Sequence, residues 1–179
     1  MSSVNQPRVA NLLTRWMATP LGPLEIGVKA DPSEIPVYWY FDFKTEAELT
    51  DIKNADRHPL LDLAEAQFSE YFGGSRTEFS ELLCHMSDYG TNFQQSVWQA
   101  LVAIPFGDTW SYSQLAAHLN NPKAVRAVGA ANGKNPLAIV VPCHRVIGAN
   151  GTLTGYAGGL DKKQWLLAFE AEQTPTLFN

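Results

Sequence analysis

The residues of this chain whose types and spacing could do chemistry gather in one triplet, Cys143-His144-Arg145. A thiol next to an imidazole is how covalent cysteine chemistry is built: the imidazole takes the proton and the thiolate attacks. The triplet follows Leu137-Ala138-Ile139-Val140-Val141-Pro142, an apolar run that reads as a short buried strand or the inside of a packed loop. A stiff support of that kind would hold the sulfur still. The same residues also fit a small apolar cysteine closing a core strand, and the stretch alone leaves the two readings even. Cys84-His85 is a second Cys-His pair, but no acidic or glycine-rich setting surrounds it, and His58 and His118 stand apart. Nothing has chelating spacing, so neither a metal nor a cofactor is expected.

The elements around the triplet have to decide. A chain of 179 residues with 45% apolar and 17% charged residues is ordinary for a globular protein and can bury one medium core or two small ones. It has no apolar run long enough for a bilayer and no basic-then-apolar leader pattern at its start. Two cysteines cannot make a disulfide framework, which points to a reducing, cytoplasmic setting with free thiols. Residues 1–90 carry 7 Lys/Arg against 14 Asp/Glu, whereas residues 91–179 carry 6 against 4. The half with Cys143 is therefore mildly basic, which is weak evidence for a nucleic-acid partner by itself.

In chain order, residues 1–14 read as a loose end. Trp16 to Val28 reads as a β-hairpin turning at Pro20-Leu21-Gly22-Pro23, with Leu24, Ile26 and Val28 alternating on one face. Ile35 to Phe43, rich in β-branched and aromatic residues, predicts a third strand. Thr45 to Arg57 is a polar loop or a solvated helix. Helical spacing of Leu60, Leu61, Ala64, Phe68 and Tyr71 predicts a helix from His58 to Phe72, ended by Gly73-Gly74. Phe79 to Leu82 reads as an edge strand. A boundary near Ser87–Asn92 separates an N-terminal α/β companion domain (1–90) from a second domain (91–179).

In the second domain Phe93, Val97, Trp98, Leu101 and Ile104 form an apolar helical stripe. Ser111-Tyr112-Ser113-Gln114 is a capping-box pattern opening a short helix. Asn121 suits an N-cap and Pro122 a first helical position, so a second short, small-sided helix is expected from Lys123 to Asn132. Two short helices joined by a tight turn are a helix-turn-helix signature, equally compatible with any αα-corner. Arg126 is the long reaching side chain on that slim second helix, which suits close approach to a groove. Asn150-Gly151 marks a hairpin turn. Asp161 suits the cap of a final helix carrying Trp165, Leu166 and Phe169, with Glu170 near its end. The last nine residues have no pattern.

These residues together resemble a known family. Asn135-Pro136 and Val141-Pro142-Cys143-His144-Arg145-Val146-Ile147-Gly148 match the active-site signature of the O6-alkylguanine-DNA alkyltransferases. The similarity continues over Ser111-Tyr112, Asn121-Pro122-Lys123, Arg126-Ala127-Val128-Gly129, Gly155-Tyr156, Gly158-Gly159-Leu160 and Trp165-Leu166-Leu167, covering about residues 91–171. The first half resembles the family's variable companion domain only in layout. The resemblance implies an α+β fold: a small N-terminal sheet with one helix, then a helical domain with a winged helix-turn-helix.

It also implies direct-reversal DNA repair, in which the alkyl group on O6 of guanine moves irreversibly to Cys143. By the same resemblance His144 takes the thiol proton through a water, Glu170 orients the imidazole, and Asn135 braces the turn. Tyr112 supplies a proton or hydrogen bond to the leaving guanine. The carbonyls of Cys143 and Val146, with the backbone around Tyr156 and Ala157, read the base; Ala157 stands where relatives can have serine, so a hydroxyl contact there is lost. The implied partner is double-stranded DNA with O6-alkylguanine, bound by a monomer through the minor groove with little sequence specificity. Arg126 fills the gap left by the flipped nucleotide, and Tyr112, Ser113, Asn121, Lys123 and Ala127 complete the DNA-facing set. Two rivals stand beside this reading. One is a winged-helix lesion sensor without transfer, although such members replace the cysteine; the other is a thiol hydrolase, for which no oxyanion motif is evident.

Overall fold

A computed structural model of the protein describes residues 10–51 and 57–174. Of the loose ends expected at residues 1–14 and 171–179, residues 1–9 and 175–179 lie outside the described residues, as does part of the Thr45–Arg57 segment; Leu12 to Thr14 instead open a strand, Leu12–Thr19, and residues 171–173 complete the last helix, Leu160–Gln173. The fold is α+β, and the chain forms two compact units. The first comprises residues up to Tyr89 together with Pro136–Val140; the second comprises Gly90–Asn135 and the chain from Val141 onward.

The first unit is built on an antiparallel sheet in the order β1 (Leu12–Thr19), β2 (Gly22–Lys29), β3 (Val37–Phe43). Leu24, Ile26 and Val28 all point into the core, as their alternation requires. On the opposite face Gly27 lies under Tyr40, whose ring would come within 2.5 Å of a Cβ there. Helix α1 (Pro59–Phe72) has Pro59 in its first turn and the His58 side chain accepting from the Leu60 N–H. Its Phe68 meets Phe41 edge-on at 5.1 Å. The Thr45–Arg57 segment contributes a short 3-10 turn, Glu46–Asp51.

The expected edge strand at Phe79–Leu82 is instead a single helical turn, α2 (Ser80–Leu83). Phe79 and Leu82 are the buried pair, and a three-residue spacing suits a helical turn rather than a strand. The outer edge of β3 is satisfied by irregular chain: Tyr38 N–H donates to His85 O at 2.7 Å and Phe41 N–H to Pro136 O at 2.9 Å. The apolar run before Cys143 is a packed loop and not a strand. Leu137 makes an isolated parallel bridge to Phe41, and the backbone then turns at Ile139, φ 71°. Positive φ at a β-branched residue is strained.

In the second unit α3 (Asn92–Val102) and α4 (Tyr112–His118) each open with a complete capping box, Thr91 with Gln94 and Ser111 with Gln114. Helix α5 spans Val125–Asn132 and starts later than expected, with Ala124 at its N-cap and no side-chain cap. The reason is that Asn120 and Asn121 are committed to ending α4. Asn120 is left-handed (φ 55°), its N–H donates to Ala117 O at 2.9 Å, and the Asn121 N–H donates to Ala116 O at 3.0 Å. That is a Schellman closure, and the Asn121 carbonyl then accepts from the Ala124 N–H at 3.0 Å in a separate turn that comes before α5. The core between these helices holds Val97, Trp98, Leu101, Leu115 and Val128, and Trp98 Nε1 donates to Ala131 O at 2.9 Å.

Two further expectations are corrected. Helix α6 (Leu160–Gln173) has Gly159, φ 98°, at its N-cap, and Asp161 sits inside the first turn, where its charge suits the helix dipole. Asn150-Gly151 does turn the chain, with Gly148 N–H donating to Thr152 O at 2.9 Å, but no two-stranded hairpin flanks it. The strand before it, β5 (Val146–Ile147), pairs in parallel with β4 (Trp110–Ser111).

Candidate active site

Cys143 opens a 3-10 turn, Cys143–Arg145, and its residue surface is 6% exposed. The turn is held from two sides of the same unit. The Asn135 amide donates to Val141 O at 2.7 Å, and the Asn132 amide approaches Cys143 O at 3.5 Å. The Cys143 N–H itself donates to Val141 O at 2.8 Å, folding the chain tightly over Pro142.

His144 and Glu170, from α6, are both fully buried, with Nε2 of the imidazole 2.8 Å from Oε1 of the carboxylate. Arg145 clamps the same carboxylate: Nε donates to Oε2 at 2.8 Å and Nη2 to Oε1 at 3.0 Å, while Nη1 donates to Ile104 O at 2.7 Å. The Gly107 N–H adds a longer contact of 3.3 Å to Oε2. Burial by itself would raise the Glu170 carboxyl; hydrogen bonds from His144 and Arg145 and the Arg145 charge outweigh it and hold the group well below the usual carboxylate range. For His144 burial wins over Glu170 and lowers the imidazole, which stays neutral near pH 7. An ionised Glu170 then fixes the tautomer, since Nε2 must carry the hydrogen it donates. Nδ1 is left as a lone pair and has no hydrogen-bond partner among the described residues. The site therefore contains an oriented, neutral base next in sequence to the thiol.

Burial pushes the Cys143 thiol up; a hydrogen bond from Asn135, the charge of Lys163 and the Cys143 and His144 backbone N–H groups pull it back. Tyr112, at the start of α4, donates its hydroxyl to Thr154 O at 3.1 Å. Lys163 Nζ donates to that same carbonyl at 2.8 Å and lies 6.0 Å from the centre of the Tyr112 ring. Burial raises the Tyr112 phenol. Gly129 of α5 lies beneath this ring, with room for a Cβ at 3.8 Å.

The sequence-predicted residues thus separate into two sets. Cys143, His144, Glu170, Asn135, Val146 and Tyr112 are buried or half-buried, and Tyr156 is half-buried. Arg126, Ala127, Ser113, Asn121, Lys123 and Ala157 are exposed. Three residues were missed. Arg145 was read only as part of the motif and proves to be the clamp on Glu170. Asn132 reaches toward the Cys143 carbonyl. Lys163 is wholly enclosed. A signal for Lys163 was present: Lys163, Leu166 and Glu170 recur three and four apart, which puts the amine on the buried face of α6.

Comparison with known proteins gives the family. Residues 92–172 match the family described as "6-O-methylguanine DNA methyltransferase, DNA binding domain". The chain is 45% identical over 167 residues to the methylated-DNA–protein-cysteine methyltransferase of Salmonella typhimurium, spanning 89% of this chain and 95% of that one. It is 54% identical over 119 residues to the protein of the same name from Mycolicibacterium paratuberculosis, spanning 65% and 70%. The crystal structure of Mycobacterium tuberculosis OGT in complex with DNA superposes with a TM-score of 0.72 at 41% identity, over 90% of this chain and 94% of that one. The chain belongs to the methylated-DNA–protein-cysteine methyltransferase family, DNA-binding enzymes of DNA repair.

Proposed function

We propose that Cys143 accepts the alkyl group from O6 of guanine in double-stranded DNA, once and irreversibly. The observation that carries this is the enclosed Cys143 beside a His144–Glu170–Arg145 network whose one open nitrogen, Nδ1, can take a proton. His144 receives the thiol proton at Nδ1 through a bridging water, while Glu170 stabilises the resulting imidazolium without itself becoming protonated. The thiolate then attacks the alkyl carbon in line. The S–C bond forms as the O6–C bond breaks, and the electron pair leaves on guanine O6. Tyr112 exchanges its bond to Thr154 O for one to the departing base and supplies the compensating hydrogen. The product thioether is a stable bond, so nothing in the site regenerates the thiol, and no cofactor takes part.

A base stacked in a duplex cannot reach a sulfur this enclosed, so the target nucleotide is flipped out. Exposed Arg126 on slim α5 fills the gap, with Ser113, Asn121, Lys123 and Ala127 along the minor-groove backbone. The Cys143 and Val146 carbonyls and the backbone at Tyr156 and Ala157 read the extruded base, and Asn135 braces the turn. The DNA complex of the M. tuberculosis relative supports the DNA-bound reading. Residues 91–179 carry binding and transfer and residues 1–90 act as scaffold, in a monomer working inside the cell where DNA is.

The test is intact mass after mixing with a duplex containing O6-methylguanine. A gain of about 14 Da on the Cys143 peptide is expected, with none in Cys143→Ala. Transfer surviving in that variant would sink the mechanism.

A further inference from the structure

A single turn holds both members of the buried ion pair that orients His144. It follows α3 and closes where the Asp108 N–H donates to Pro105 O at 3.1 Å, with Gly107 in its third position at φ 82°. Ile104 O, just before it, accepts from Arg145 Nη1 at 2.7 Å. The Arg145 guanidinium lies over the Phe106 ring, 5.6 Å from its centre, and the Gly107 N–H reaches Glu170 Oε2 at 3.3 Å. One short stretch thus grips the arginine twice and the carboxylate once. His144 depends on that grip. Its Nε2 is bonded to Glu170, and its Nδ1 has no hydrogen-bond partner among the described residues.

Gly107 is also where this stretch meets the end of α6. A Cβ there would collide with the Thr174 hydroxyl and stand 3.1 Å from Thr174 Cβ and 3.4 Å from Glu170 O. The hydroxyl is committed to Glu170 O at 2.9 Å. Turning it aside would clear the collision but not the contact with Thr174 Cβ, which backbone movement alone relieves. Positive φ adds a further cost for any residue with a side chain. We propose that Gly107 is a positioning residue for the transfer. Its missing side chain lets the turn sit flush on the end of α6, and that seating sets the Glu170 carboxylate and, through it, the tautomer of His144. A Cβ forces turn and helix apart at the residue that carries the carboxylate, and it shifts Ile104 O and Phe106 away from Arg145 with it. This rests on the reading of His144 as the base that takes the Cys143 proton.

The experiment reads the His144 tautomer directly. The full-length chain is labelled with nitrogen-15 histidine, and imidazole nitrogen signals are recorded at about pH 8, where an imidazole is neutral. His144 is assigned by the signals lost in His144→Gln. The parent gives one bare nitrogen, Nδ1, and one hydrogen-bearing nitrogen, Nε2, far apart in the spectrum. In Gly107→Ala the two signals move toward each other as the second tautomer is populated. The rate of methyl transfer from an O6-methylguanine duplex falls about tenfold or more, while the final yield of one methyl per folded molecule holds. Gly107→Ala/Thr174→Gly restores both, because Glu170 O at 3.4 Å is then the nearest of these neighbours. Should Gly107→Ala fail to fold, as read by circular dichroism, Gly107→Ala/Thr174→Ala takes its place, since it removes the hydroxyl and keeps the 3.1 Å contact. Parent-like nitrogen signals in the variant with the clash, or a Thr174→Gly partner that leaves them displaced, overturn the proposal. A parent that transfers no methyl group would overturn the repair reading, and the nitrogen signals would still decide this one.

Discussion

Replacing Glu170 with glutamine keeps the shape of the buried network and removes its anion. The carboxylate faces His144 Nε2 and two Arg145 nitrogens at 2.8, 2.8 and 3.0 Å, with the Gly107 N–H further out at 3.3 Å. An amide has one acceptor oxygen, so its NH2 must point at a donor on one side. The Arg145 side chain, 7% exposed, would then stay buried and charged without an anionic partner, its Nη1 still donating to Ile104 O. Removing one member of a buried ion pair costs about 3–5 kcal/mol. That is a large share of a total stability of about 5–15 kcal/mol. Arg145→Met should cost a similar amount from the other side, because it strands the carboxylate. The double variant strands neither charge, so its loss should fall short of the sum, with a coupling of about 2–3 kcal/mol. Urea unfolding followed by tryptophan fluorescence measures all four corners of the cycle. Additive losses, or a Glu170→Gln loss below about 1 kcal/mol, would refute the clamp.

The sign with pH follows from the same group. The Glu170 carboxyl is held below its unfolded range of about 4.3. Its contribution is therefore complete above that range and is lost as pH falls through the lower folded value. The acid limb of the stability profile should be shallower in Glu170→Gln.

Three other outcomes are expected. The folded protein keeps His144 neutral, so below about pH 6.5 the unfolded chain binds that proton first and stability falls; His144→Gln should flatten this part of the profile, read as melting temperature against pH. Arg126→Ala changes an exposed side chain, so stability should move by less than about 0.5 kcal/mol. Transfer from duplex DNA should nonetheless slow far more than transfer from the free O6-methylguanine base, and equal losses would count against the gap-filling role. Thr91→Ala removes the cap of α3 and should cost about 1 kcal/mol, lowering the melting temperature by roughly 2–4 °C with unchanged transfer kinetics.

What the sequence disclosed was whatever depends on period and local chemistry. Leu24, Ile26 and Val28 showed a half-buried strand, and Ser111 with Gln114 showed the start of α4. What it hid was how one short stretch serves two neighbours. Asn121 looked like a cap for α5, yet its N–H closes α4 and its carbonyl accepts from Ala124 in a separate turn, so that α5 begins only at Val125. The run Leu137–Val141 has strand composition, but Ile139 turns left-handed and breaks it, and no local propensity predicts positive φ at isoleucine. Within the site, the types of Cys143, His144 and Glu170 were readable. Arg145 was not, because only the fold brings Ile104 O and Glu170 together around one guanidinium.

Arg145 also resolves a tension in the chemistry. A thiol sheltered this deeply is harder to ionise, and the imidazole next to it in sequence is harder to protonate, because burial acts against both charges. Glu170 could offset that for His144 only if it stayed ionised itself, and burial pushes it the other way. The bidentate guanidinium keeps Glu170 anionic at any working pH, at the expense of some pull on the imidazole, since the Arg145 charge disfavours His144 protonation. Orientation is therefore what the clamp secures most firmly: Nε2 must donate to Glu170, so Nδ1 is always the free base. The energetic help for the sulfur has to come from elsewhere: a hydrogen bond from Asn135 and the charge of Lys163 both act against the effect of burial on the thiol. In the proposed transfer the His144 side of the site thus fixes where the proton goes.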